Sequence, residues 1–141
     1  MKTIHFLTHQ EIFDRVVAHL NEQRGAALLP RGGGAYRAGC GGCPIGHFIR
    51  PADYSSAMEG VPVRYLIGSE LSHPSYMDAG IVALRKALLK AKINVYEART
   101  VALLSCLQNV HDAFGVWEWQ DRLLSIAREF GLVAEPLKAA A

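Results

Sequence analysis

Cys40-Gly41-Gly42-Cys43, followed by His47, is where residue types and spacing first permit chemistry. A Cys-x-x-Cys pair offers two soft thiolates, and a histidine four residues on suits a third ligand for zinc. Zinc takes four ligands in a closed structural site, or three and a water in a catalytic one. Cys40, Cys43 and His47 are thus the candidate metal ligands, and a fourth would have to come from Cys106, His111 or Asp112. Cys106 and His111 stand five apart on an expected helix, about 140° around its axis, so one metal would have to choose between them. The same segment supports a second chemistry. Arg37, His47 and Arg50 surround the Cys43 thiol with positive charge that favours the thiolate, and His111 is the distant base for a thiol-dependent hydrolase or transferase. Asp112 is a carboxylate in reach of that role, but as the helical neighbour of His111 it is expected to point elsewhere. His111 also follows Leu107 by four and Leu104 by seven, so it equally fits a hydrogen-bonded core histidine. Cys106, beside the same leucines, reads as a small buried hydrophobe.

A third chemistry, anion binding, emerges from the charge pattern. The 141 residues carry 15 basic and 13 acidic side chains, a net +2. No acid falls between Glu22 and Asp53, where Arg24, Arg31, Arg37 and Arg50 lie, and the charges between Asp78 and Glu97 are all basic: Arg85, Lys86, Lys90 and Lys92. These windows hold +8, leaving −6 elsewhere. The first also holds eight of the thirteen glycines. Glycine-rich backbone exposes N–H groups without steric cost, and arginine beside it can hold phosphate or carboxylate. Arg31, Arg37, His47 and Arg50 are therefore the candidate ligand-binding residues. No complete P-loop or dinucleotide fingerprint is present, and a surface loop with solvated arginines is the competing reading.

The elements that must position these groups are mainly helical. Thr8-His9-Gln10-Glu11 is a capping box, with Leu7 and Ile12 placed as a hydrophobic staple. Ile12, Phe13, Val16, Val17 and Leu20 form one apolar face, predicting a helix over about 8–24. Residues 25–50 lose that period and read as a Gly/Arg/Cys-rich loop or a small β-hairpin, with Ala35-Tyr36-Arg37 and Ile45-Gly46-His47-Phe48-Ile49 as short strands. Pro51 and a second capping box at Ser56-Ala57-Met58-Glu59 suggest a short turn of helix closed by Gly60. Residues 62–71 fit helix or strand. After Ser72-His73-Pro74, Ser75 caps a helix that buries Ile81, Leu84, Leu88 and Leu89 and ends in lysines suited to its dipole. Asn94 with Glu97 opens the next, which buries Val101, Leu104, Leu107 and Val110 and ends near Gly115. The last carries Trp117, Trp119, Leu123, Ile126, Ala127 and Phe130 up to Gly131. Two tryptophans two apart cannot share a helix face, so one belongs to the core and the other to a boundary or partner surface. The expectation is a single domain over 1–141, mainly α with about five helices and a small hairpin; an α+β arrangement is the alternative.

A mean hydropathy of +0.11 excludes a disordered chain, and the apolar runs are too short to span a bilayer. Without an apolar leader, the cytoplasm and reduced thiols are expected. Ala35-Tyr36-Arg37, Cys43-Pro44-Ile45-Gly46-His47-Phe48-Ile49, Tyr54 and Met58-Glu59-Gly60, with Leu103-Leu104, Leu107-Gln108-Asn109-Val110-His111-Asp112 and Trp119 to Leu132, resemble small uncharacterised proteins encoded by phages and bacterial mobile elements, including gene-cassette arrays. A cysteine usually precedes the Tyr-Arg pair in that group, where this chain has Gly34-Ala35. The resemblance implies a genomic setting and a shared fold, but no activity. The foremost expectation is a binding or interaction module for a small anionic ligand or a protein partner, self-associating, with nucleic acid left open and no cofactor called for. The thiol enzyme and the structural zinc protein are its alternatives.

Overall fold

Two orphan donors at the start of the first helix are satisfied reciprocally. The Thr8 N–H donates to Glu11 Oε1 at 3.0 Å, and the Glu11 N–H donates to Thr8 Oγ1 at 3.1 Å. This box launches α1, His9–Gln23, whose Ile12, Phe13, Val16, Val17 and Leu20 are all buried, while Leu7 packs half-buried on the core. The computed structural model describes residues 5–23, 44–67 and 75–134. Among these the fold is mostly helical, with three further α-helices: α2, Asp78–Lys90, α3, Ala98–Ala113, and α4, Trp119–Phe130. No strand occurs among the described residues.

Short 3-10 turns join the helices, at Gly46–Phe48, Pro51–Asp53, Ser56–Met58, Val63–Ile67, Ser75–Met77 and Val116–Glu118. They correct several expectations. Ile45–Ile49 is no strand: Ile45, Phe48 and Ile49 are buried together at helical i, i+3, i+4 spacing. Ala35–Arg37, the other half of the expected hairpin, lies outside the described residues, as does Gly25. The short turn of helix expected after Pro51 is present as two 3-10 turns, with Pro51 at the first position of one. Ser55 rather than Ser56 caps the other, its Oγ accepting from the Ala57 N–H at 3.2 Å. Glu59 takes no part in a box, because the Tyr54 hydroxyl donates to its carboxylate at 2.7 Å. Ser75 likewise caps nothing in α2, since a 3-10 turn precedes that helix and Met77 occupies its N-cap.

α3 forms the middle of the bundle, packed against α1, α4 and the Val63–Ile67 turn. Thr100, Val101, Leu103, Leu104, Leu107, Val110 and His111 are buried on it, a wider face than the single stripe the sequence suggested. Gln108, half-buried, accepts the Val63 N–H at 3.1 Å and pins that turn to the helix. α2 and α4 close with the same device. Leu132 N–H reaches Ala127 O at 2.7 Å around left-handed Gly131, and Ile93 N–H reaches Leu88 O at 3.0 Å around Lys92, whose φ is +67°. The Lys92 carbonyl then accepts from Leu7 N–H at 2.7 Å, tying the end of α2 to the entry of α1.

α2 also approaches the Ser56–Met58 turn very closely at Gly80, where a Cβ would run into the Ala57 carbonyl oxygen and stand 2.7 Å from Val61 Cγ2. Gly80→Ala is therefore expected to destabilise the protein by about 1–2 kcal/mol, overpacking of about 3 kcal/mol exceeding the gain of about 1 kcal/mol from alanine in a helix. A urea midpoint equal to or above that of the parent protein would contradict this close approach.

Candidate functional site

Arg50 and Lys90 belong to the two separate acid-free windows, yet they meet on one carboxylate. Pro51 starts a 3-10 turn that holds Asp53 three residues beyond Arg50, and the Arg50 Nε–H donates to Asp53 Oδ2 at 2.8 Å. The last turn of α2 brings Lys90 Nζ to Asp53 Oδ1 at 3.4 Å. The Asp53 side chain is only 6% exposed, whereas those of Arg50 and Lys90 are 62% and 47% exposed. The carboxylate is thus the covered hub and the cations are its accessible rim. The Arg50 hydrogen bond, helped by Lys90, holds the Asp53 carboxyl below its usual range. Beside it lies a cavity of about 240 Å³ lined by Ala52, Asp53, Ser55, Ala83, Lys86 and Lys90, together with Ala87. Lys86 forms no ion pair with a described residue, so it adds positive charge to a wall where Asp53 is already engaged.

His111 occupies a different place, on the last turn of α3 and wholly buried. Its Nδ1 lies 2.7 Å from Asp112 Oδ1, correcting the expectation that this neighbour points away. Adjacent residues at a helix end can meet because both side chains are short and the carboxylate turns back along the helix. An ionised carboxylate only accepts, so Nδ1–H is the donor and Nε2 the basic nitrogen of the neutral ring. Trp119 covers the site: its ring centroid lies 6.0 Å from that of His111, and its indole N–H donates to Phe114 O at 3.0 Å. Cys106, half-buried on the same helix, is no activated thiol, since burial and then Glu129 push its pKa up.

Cys40, Cys43, Arg31 and Arg37 lie outside the described residues. His47 is exposed on the Gly46–Phe48 turn, its ring 4.8 Å from that of His19 on α1 and 5.9 Å from the Phe48 ring. No group of three potential metal ligands occurs among the described residues. The sequence reading missed His19, Asp53 and Lys90 as partners of its candidates. The i, i+3 spacing of Arg50 and Asp53 is compatible with their ion pair, but no spacing signals the approach of Lys90. Elsewhere, His9 Nε2 on α1 lies 3.0 Å from Glu97 Oε1 and 2.9 Å from Thr100 Oγ1, and the Thr100 hydroxyl donates to the same Glu97 oxygen at 2.9 Å. This cluster joins the starts of α1 and α3. No helix among the described residues is long and apolar enough to cross a membrane. No protein-family model, curated protein or solved structure matches the chain.

Asp53 and Glu11 both have lowered carboxyl pKa values, the first chiefly through Arg50 and the second through the Thr8 backbone N–H. A depressed native pKa stabilises the fold above the unfolded value of about 4, and that stabilisation is lost as pH falls through the native one. Urea midpoints should therefore fall progressively as the pH is lowered below about 5. Asp53→Asn should start lower at neutral pH and lose less on acidification; an unchanged acid slope would remove Asp53 from this linkage.

Proposed function

We propose that this protein is a small binding module whose anion-accepting surface combines the Arg31–Arg50 segment with the lysine-bearing end of α2. The observation that supports the reading is the meeting of Arg50, from the first basic window, and Lys90, from the second, on Asp53 beside the Lys86 cavity. Asp53 fixes one Arg50 N–H and the Lys90 ammonium, which lowers the entropy lost when those cations receive a ligand. The Ser55 hydroxyl, which also lines the cavity, is a neutral donor of the kind that orients phosphate or carboxylate oxygens. Self-association, a cytoplasmic setting and an origin in a phage or bacterial mobile element belong to the same proposal; the last rests on the sequence resemblance alone. Pyrophosphate titrated by calorimetry is the test. Lys86→Gln should weaken binding about tenfold, the value of one lost charge-assisted hydrogen bond. Arg128→Gln on α4, which removes an equal charge elsewhere, should leave it unchanged. Equal effects of the two, or no binding by the parent protein, would defeat the reading.

One observation favours a second reading, the thiol-dependent hydrolase or transferase built on Cys43 and His111. The Asp112 bond fixes the His111 tautomer with Nε2 as base, the part a carboxylate plays in nucleophile–histidine–carboxylate sites. Intact-mass measurement of alkylation at about pH 6 separates the thiols. Cys43 should react well before Cys106, and His111→Asn should abolish the difference; a Cys43 as slow as Cys106 would rule this chemistry out. Adding a chelator to the same measurement tests the zinc reading of Cys40, Cys43 and His47, which predicts thiols unmasked only after metal removal.

A further inference from the structure

Five residues on the outer side of α2 recur at helical spacing: Val82, Arg85, Lys86, Leu89 and Lys90. They turn away from Ile81, Leu84 and Leu88, which the core covers. With Tyr96 beyond the end of the helix they line an open groove of about 390 Å³. Val82 is 60% exposed and Tyr96 75% exposed, so the groove carries an apolar floor that nothing within the described chain covers, under a basic rim. Such a surface asks for an occupant with an apolar anchor flanked by acids. A second copy presenting the same face is excluded, because Arg85, Lys86 and Lys90 would meet their own counterparts. A nucleic acid is a poorer fit: Tyr96 is the one aromatic face in the groove lining, and the aliphatic Val82 and Leu89 offer bases nothing to stack on.

The complement lies on the chain itself. Trp117 is 85% exposed, and its ring rests over Gly115, whose missing side chain makes the room. An exposed indole held in place is an anchor that loses little freedom on docking. Glu118 and Asp121 follow it at the start of α4, while the nearest cation in sequence, Arg122, lies 4.1 Å above the Phe114 ring. The acidic surplus outside the two basic windows therefore has one of its sites beside this tryptophan.

We propose that the protein forms a two-fold dimer in which Trp117 of each copy enters the Val82/Leu89/Tyr96 groove of the other, with Glu118 and Asp121 facing Arg85 and Lys86. The dimer deepens the self-association within the binding reading and names its surface. A two-fold interface requires each copy to give and to receive this contact. Sedimentation velocity over a wide concentration range is the test. The parent protein should be dimeric, with a Kd that weakens about tenfold or more on passing from about 0.05 to 0.5 M salt. Trp117→Ala and Arg85→Glu should each weaken it about thirtyfold, the effect of losing an interface hot spot. Combining Arg85→Glu with Asp121→Arg in one chain should recover most of the loss. Trp117→Ala changes an exposed residue and should fold, which circular dichroism verifies. A monomer at every concentration, or a dimer that either single substitution leaves intact, overturns the proposal. Neither Trp117 nor Arg85 lines the cavity beside Asp53, so pyrophosphate binding by the same variants separates failure of the dimer from failure of the anion site.

Discussion

The architecture depends on burying one broad face of α3, about half of its circumference. A helix apolar on one stripe sits at the surface, whereas one with Val101, Leu103, Leu104, Leu107 and Val110 buried must be enclosed by its neighbours. Each such side chain contributes about 1.5–3 kcal/mol when withdrawn from water, which favours assembly of the neighbouring elements against this face. α1 and α4 take two sides, and the Val63–Ile67 turn takes another, fixed there by the Gln108 hydrogen bond. The turns on the far side then have little space. Consecutive 3-10 turns pass between α1 and α2 carrying Phe48, Met58 and Val63 inward, and Gly80 lets α2 settle directly onto backbone.

Enclosure of α3 also determines the chemical character of its end. His111 belongs to the buried face, where an unpartnered ring nitrogen would cost roughly 1–3 kcal/mol, and the Asp112 carboxylate meets that demand from the adjacent position. The same hydrogen bond fixes the orientation of the imidazole ring at the end of the helix. The Asp53 hub follows a different logic. Its carboxylate is nearly covered, but Arg50 and Lys90 remain largely exposed, so the ion pairs arrange cations at the surface more than they bind the core together.

Much of the helical framework was legible because its signals are local. The Thr8–Glu11 box, the apolar face of α1, the stop at Gly131 and the division of labour between Trp117 and Trp119 are each set by spacings of two to five residues, and each is found as expected. Misreadings arose where two local rules agreed less well. Ile45–Ile49 offers β-branched residues and a glycine-rich flank, which suggest a strand, but its burial at i, i+3 and i+4 obeys the helical period. Ser56 and Glu59 have capping-box spacing, yet Tyr54 five residues earlier competes for the carboxylate. Lys92 ends α2 in a left-handed conformation that the sequence usually announces with glycine. The site was less legible than the frame, since Asp53 and Lys90 are joined only by the packing of α2 on the turns before it, a contact with no sequence signature.

The charge pattern links these levels. Along the chain, acid-free windows of +4 each look like separate features, one in a glycine-rich segment and one on a helix. Folding brings Arg50 of the first window and Lys90 of the second onto the Asp53 carboxylate, which lies between them; without it the two cations would repel across the same gap. Beyond that border, α2 presents Arg85 and Lys86 over an apolar floor, while Glu118 and Asp121 flank the exposed Trp117 at the start of α4. A small net charge is thus compatible with a strongly polar distribution, in which one acid lies among the cations of the basic surface and others lie away from it.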